Sequence, residues 1–235
     1  MENILFNIRN ELVSNADAKT REGSQRYFRE SITVYGVKAA AVKQISKKFY
    51  AEVKGSTKAE IFEMCEKLWQ SGYLEESFIA CDWSARLYKQ YEPSDFAIFD
   101  RWINLYVNNW ASCDTLCNHT VGDFVMMYPE FIEKLKEFAH SENRWVKRAA
   151  AVSLIIPARK GMFVDAIFEI ADIMLTDKND MVQKGYGWML KAASEAHRQE
   201  VFEYVMSKKE IMPRTALRYA IEKMPDDFKK QAMKK

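Results

Sequence analysis

Glycine and proline are scarce, at 8 and 5 among 235 residues. A sheet protein of this length needs many more turn residues, so a strand-rich fold is excluded. The long stretches between breaks favour helices, which accept Ala, Leu, Lys, Glu and Met readily. Long apolar runs are missing as well. A helical membrane span needs about 20 apolar residues, and AAAVSLII (149–156) is far too short; it reads as a buried helix face. The opening MENILFNIRNELVSNAD is interrupted early by charge, so neither a signal peptide nor a membrane span is expected. The four cysteines, Cys65, Cys81, Cys113 and Cys117, form no C-x-x-C pair. A reducing, cytoplasmic setting is the simplest reading. A strong charge bias is also lacking: the formal net charge is +2, which gives no global nucleic-acid signature.

What is present is core material. Apolar residues make up 48% of the chain, with 6 Trp, 14 Phe and 11 Tyr, enough for a large buried core. Periodicity and breaks predict helices over 2–15, 22–31, 37–51, 57–70, 73–90, 94–108, 111–121, 130–140, 144–155, 162–175, 180–194, 197–207, 213–223 and 225–234. Pro129 and Pro213 can open helices, since a first-turn residue needs no intrahelical N–H bond. Ser56 and Ser94 are candidate N-caps without a capping box. RWVKRAAAVSL, from Arg144, is echoed by DMVQKGYGWML, from Asp180, 36 residues later. Val146 then falls on Val182, Arg148 on Lys184 and Leu154 on Leu190. That period is close to those of helical solenoids, whose units must stack to bury their apolar stripes. The expected fold is all-α, one domain over 1–235 built from stacked HEAT-like helix pairs; a non-repeating bundle is the alternative.

Charge is uneven along the chain. Residues 1–140 carry 17 Lys and Arg against 20 Asp and Glu, and residues 141–235 carry 18 against 13. Arg144, Lys147, Arg148, Lys184, Lys191, Arg214 and Arg218 form a basic strip if their helices share a face; a plain solvated surface accounts for the same charges. The segment RWINLYVNNWASCDTLCNHTVGDF (101–124) is richest in reactive side chains. Trp110 and Asp114 are four apart and share a face on one helix. Asp114 is either a first-turn residue complementing the helix dipole or a carboxylate that stabilises positive charge beside an aromatic face. Asn109 and Ser112 are both candidate caps, and the choice between them changes whether Trp110 is helical at all. Cys113, Cys117 and His119 are zinc-ligand types, but C-x-x-x-C-x-H is not a standard zinc spacing, and buried cysteine is the simpler reading. Trp69, Trp83, Trp145 and Trp188 read by default as core. Gly185 and Gly187, on the helix of Trp188, suit either close helix packing or ligand access.

Several segments together resemble the DNA alkylation repair family, the AlkD-type alkylpurine DNA glycosylases. They are QRYFRESITVYGVK (25–38), KLWQSGYLEESFIACDW (67–83), NNWASCDTL (108–116), ENRWVKRAAAVSL (142–154), DMVQKGYGWMLK (180–191) and PRTALRYAIEKMP (213–225). The resemblance implies a curved α-α superhelix of HEAT-like pairs with duplex DNA on its concave face. It implies monofunctional removal of cationic N3- or N7-alkylated purines, by a monomer without metal or organic cofactor. Asp114 matches the family's catalytic aspartate. Trp110 and Trp188 match the aromatic residues lining sugar and lesion, Arg148 an arginine contacting DNA nearby, and Tyr27 a tyrosine of the same cleft. Lys147, Lys184, Arg214 and Arg218 are the accompanying DNA-binding candidates. One departure stands out: the family often carries W-D-x-V-D, and here the first acidic position is Ala111. A DNA-structure-binding relative without activity and a helical protein–protein scaffold are the alternative functions.

Overall fold

A computed structural model describes residues 2–234, so the outermost residue at each end of the expected 1–235 domain lies outside the described residues. The described residues are helical, with no named strand and one isolated parallel bridge, Thr33 to Tyr73. No helix among them is long and apolar enough to cross a membrane. The chain divides into two compact units, Met1–Leu116 and Cys117–Lys235.

The first unit holds α1 (Glu2–Ser14), α2 (Ala18–Ser24), α3 (Ala39–Val53), α4 (Lys58–Gln70), α5 (Leu74–Arg86), α6 (Phe96–Leu105) and α7 (Trp110–Leu116). Helices α3, α5 and α7 pack in succession, and α4 lies against α5. Their core is strongly aromatic. Trp83, Phe99 and Trp102 are fully buried, and Phe62 meets Trp102 edge-on with centroids 5.9 Å apart. Polar atoms in this core are paired: the Trp83 indole donates to Ser46 O at 3.1 Å. Glu66 of α4 accepts from Arg101, Trp102 and Tyr106.

The second unit holds α8 (Gly122–Met127), α9 (Ile132–Ala139), α10 (Arg144–Val152), α11 (Ile155–Arg159), α12 (Val164–Ile173), α13 (Asp180–Ala193), α14 (Arg198–Lys208), α15 (Arg214–Ala220) and α16 (Asp226–Met233). Helices α10, α13 and α15 succeed one another, with α9 beside α10 and α12 beside α13. The 36-residue echo is a structural repeat. Asn143 and Asn179 cap α10 and α13, each accepting from the backbone N–H two residues on. Each is braced in turn from two residues back, Asn143 N–H by Ser141 Oγ and Asn179 N–H by Asp177 Oδ1.

Several boundaries differ from expectation. The helix predicted over 22–31 ends in a 3-10 turn at Gln25–Tyr27, and 28–38 is not helical. Ile32, Thr33 and Val34 lose rotamer freedom in a helix, and a tertiary anchor described below holds the segment extended. The cap of α4 is Thr57, not Ser56: Thr57 and Glu60 form a reciprocal capping box. Ser94 does not cap either; Asp95 closes the turn by accepting from Glu92 N–H at 2.8 Å. The helix predicted over 144–155 ends at Val152, and a separate helix α11 starts at Ile155 and tolerates Pro157 in its first turn. Pro129 opens a 3-10 turn as expected, and Pro213 stands one place earlier than first-turn, at the N-cap of α15.

Candidate functional site

Helix α7 carries the candidate carboxylate. Asn109, buried, caps it by accepting from Ser112 N–H at 2.9 Å through Oδ1. Trp110 is therefore the first helical residue, and Asp114 lies in the second turn on the same face, one turn on. The dipole reading of Asp114 fails on this geometry, because the dipole's influence fades beyond the first turn. Both side chains are partly exposed, so a ligand can reach them. After Leu116 the helix widens into a π-turn, Cys117–Val121, before α8. Such turns often sit beside functional residues.

Trp110 is held in place. Its ring stacks on Phe28 with centroids 5.3 Å apart and planes 18° from parallel. Its Nε1–H donates to Tyr27 O at 3.1 Å. The Tyr27 side chain is 76% exposed and stands on the backbone that Trp110 holds. The first unit thus brings Tyr27, Phe28, Trp110 and Asp114 into one neighbourhood. Phe28 went unnoticed in the sequence, since the predicted 22–31 helix would have pointed it elsewhere. The QRYF run was its only signal.

The second unit carries the remaining candidates. Arg148 on α10 is only 5% exposed, and its Nη1 donates to Met181 O at 2.6 Å. Its side chain runs over Gly185, where a Cβ would come within 3.3 Å of Arg148 Cγ. Gly187 admits α15: a Cβ there would lie 2.7 Å from Tyr219 Cβ and 2.8 Å from Ala216 O. Close packing explains both glycines. Trp188 is partly exposed. Lys147 is paired with Asp177 at 2.8 Å and Lys184 with Asp180 at 3.2 Å. Arg214 and Arg218, one turn apart on α15, are exposed, and no ion pair reaches either among the described residues. The cationic strip of the sequence is thus largely occupied, and the α15 arginines are its open part.

Cys113 and Cys117 are fully buried, His119 is exposed, and no group of three or more potential metal ligands occurs among the described residues. Burial raises the Asp123 carboxyl above its ordinary range despite nearby His119 and Lys160.

A statistical model of the family described as DNA alkylation repair enzyme matches residues 8–224. No curated protein sequence matches significantly. Among solved structures, the chain is similar to a protein from Enterococcus faecalis described as a predicted DNA alkylation repair enzyme. The two share 19% identity and a TM-score of 0.80, over 90% of this chain and 98% of that one. That likeness supports the all-helical fold, and the family match spans both units. The chain therefore belongs to the DNA alkylation repair enzyme family.

Proposed function

We propose that residues 1–235 act as one monofunctional DNA glycosylase domain that hydrolyses the N-glycosidic bond of cationic N3- or N7-alkylated purines in duplex DNA. The observation carrying this reading is Asp114 in the second turn of α7, one turn after a Trp110 fixed by stacking and a hydrogen bond. An alkylated purine already bears positive charge. It leaves with the electron pair of the breaking bond as a neutral base, so no general acid is required. Positive charge then develops at the deoxyribose C1′, where an ionised Asp114 stabilises it electrostatically. Water adds to C1′ and gives up its proton to the carboxylate. Trp110 and Trp188 offer ring faces to the cationic nucleoside. Exposed Tyr27, Arg214 and Arg218 meet the DNA directly, and Arg148, Lys147 and Lys184 join the contacts by exchanging Met181 O, Asp177 and Asp180 for phosphate. The protein works as a monomer in the cytoplasm, without metal or organic cofactor.

The direct test incubates the protein with duplex DNA carrying 7-methylguanine or 3-methyladenine and measures free base. Release by the parent protein supports the reading. Duplex binding with no release of any cationic purine points instead to a non-catalytic DNA-binding relative. No duplex binding at all points to a scaffold.

A further inference from the structure

Phe28, the stacking partner of Trp110, opens a non-helical arm, residues 28–38, whose far end is anchored by one buried carboxylate. Glu75, in the first turn of α5, is 4% exposed. Its Oε2 accepts from Tyr35 N–H at 3.1 Å, and its Oε1 from Gly36 N–H at 2.9 Å and Val37 N–H at 3.1 Å. Three successive amides on one carboxylate clamp the chain direction. Gly36 makes the turn possible: its φ is +93°, and a Cβ would lie 2.6 Å from Arg21 Cβ. Neighbouring bonds brace the same end. Tyr35 Oη donates to Glu76 at 2.7 Å, the Tyr35 and Tyr73 rings stack 4.0 Å apart, and Leu74 N–H donates to Thr33 O at 2.9 Å.

The middle of the arm is not packed solidly. Ser31, Ile32 and Thr33 line a cavity of about 50 Å³ with Trp69, Asn109 and Ser112. Its wall includes the 97%-buried Trp69, whose indole N–H meets no acceptor among the described residues. A polar gap of this size does not fix the arm as dry packing would. Gln25 braces the arm from the preceding turn, its Nε2 donating to Glu30 O at 2.7 Å and its Oε1 accepting from Ile32 N–H at 3.2 Å, while Glu75 and Trp110 hold the two ends.

We propose that Glu75 is a positioning residue for the candidate site: by clamping the arm it sets where Tyr27 and Phe28 meet Trp110. This rests on the reading of Trp110 as a lesion-lining residue. In Glu75→Gln, one of the accepting oxygens becomes an NH2 group facing backbone donors, so the clamp opens.

The test compares the full-length parent, Glu75→Gln and Phe28→Ala, each carrying 5-fluorotryptophan, with the Trp110 resonance assigned through Trp110→Phe. Amide exchange and single-turnover 7-methylguanine release are measured alongside. Glu75→Gln should speed exchange across 28–38 by about tenfold while the α3–α6 core stays protected. It should displace the Trp110 resonance in the direction Phe28→Ala does. It should also slow release by about fivefold or more, with duplex affinity kept within about twofold. An unmoved Trp110 resonance overturns the proposal, as does exchange that accelerates uniformly through the unit. If Glu75→Gln does not fold, Glu75→Asp, one methylene shorter, is judged by the same resonance. If the parent releases no base, the glycosylase reading fails, while the resonance still decides the positioning role.

Discussion

At the residue scale, Asp114 bears most of the chemical argument. Its place in the second turn removes the helix-dipole explanation, and its neighbour Trp110 is held by two independent contacts. Asp114→Asn keeps shape and removes charge. Single-turnover release of 7-methylguanine should fall by on the order of 10²-fold, with duplex affinity little changed or higher as repulsion from phosphate is lost. The rates are compared where both proteins are folded by circular dichroism, and a variant within about twofold of the parent rules out the catalytic assignment.

At the scale of elements, two contacts set how the helices are held. Gly187 lets α13 approach α15 so closely that a methyl group would collide with Ala216 O, a backbone atom that cannot swing away. Gly187→Ala should therefore destabilise the protein by about 1–3 kcal/mol, although alanine is the better helix former; a thermal melt at or above the parent's would show that α15 yields instead. Glu66 links α4 to α6. Burial pushes its carboxyl up, but hydrogen bonds from Arg101, Tyr106 and Trp102 outweigh that, so it lies below the ordinary carboxylate range. A depressed folded-state value means that its stabilisation is complete above the unfolded value of about 4.3 and is lost as pH falls through the folded one. Glu66→Gln should cost roughly 1–3 kcal/mol at neutral pH. It should also flatten the loss of stability on acidification, read from denaturant midpoints between neutral pH and strong acid. Parallel curves for parent and variant would deny Glu66 this role.

At the scale of the whole molecule, the question is which cations reach a phosphate backbone. Lys147 and Lys184 are tied to Asp177 and Asp180, and Arg148 is buried. Arg214 and Arg218 are exposed on one face of α15. Replacing both with Ala should weaken duplex binding alike for different sequences. It should also reduce the slope of log affinity against log salt by about 2, since each phosphate contact contributes about 0.9. Filter binding or fluorescence anisotropy across salt concentrations checks this, and an unchanged slope removes α15 from the interface.

The helical class, most helix positions and the repeat beginning at Arg144 were legible in the amino-acid sequence, because they follow from local periodicity and from breaks at Gly and Pro. The resemblance also singled out Asp114, Trp110 and Tyr27, which α7 and its neighbouring arm bring into one neighbourhood. What local rules missed depends on distant partners. The T-x-x-E box at Thr57 is the exception, a local signal with both partners three residues apart. The arm at 28–38 leaves the helical path because Glu75, some 40 residues on, captures its amides, and Phe28 meets Trp110 only through that path. Arg148, Lys147 and Lys184 read alike as basic residues, and only their three-dimensional surroundings separate a buried guanidinium from lysines in ion pairs. Sequence determined the elements, since hydrophobic spacing acts over a few residues; tertiary structure decided which polar groups are spent on the fold and which remain open, since burial and pairing depend on residues far apart in the chain.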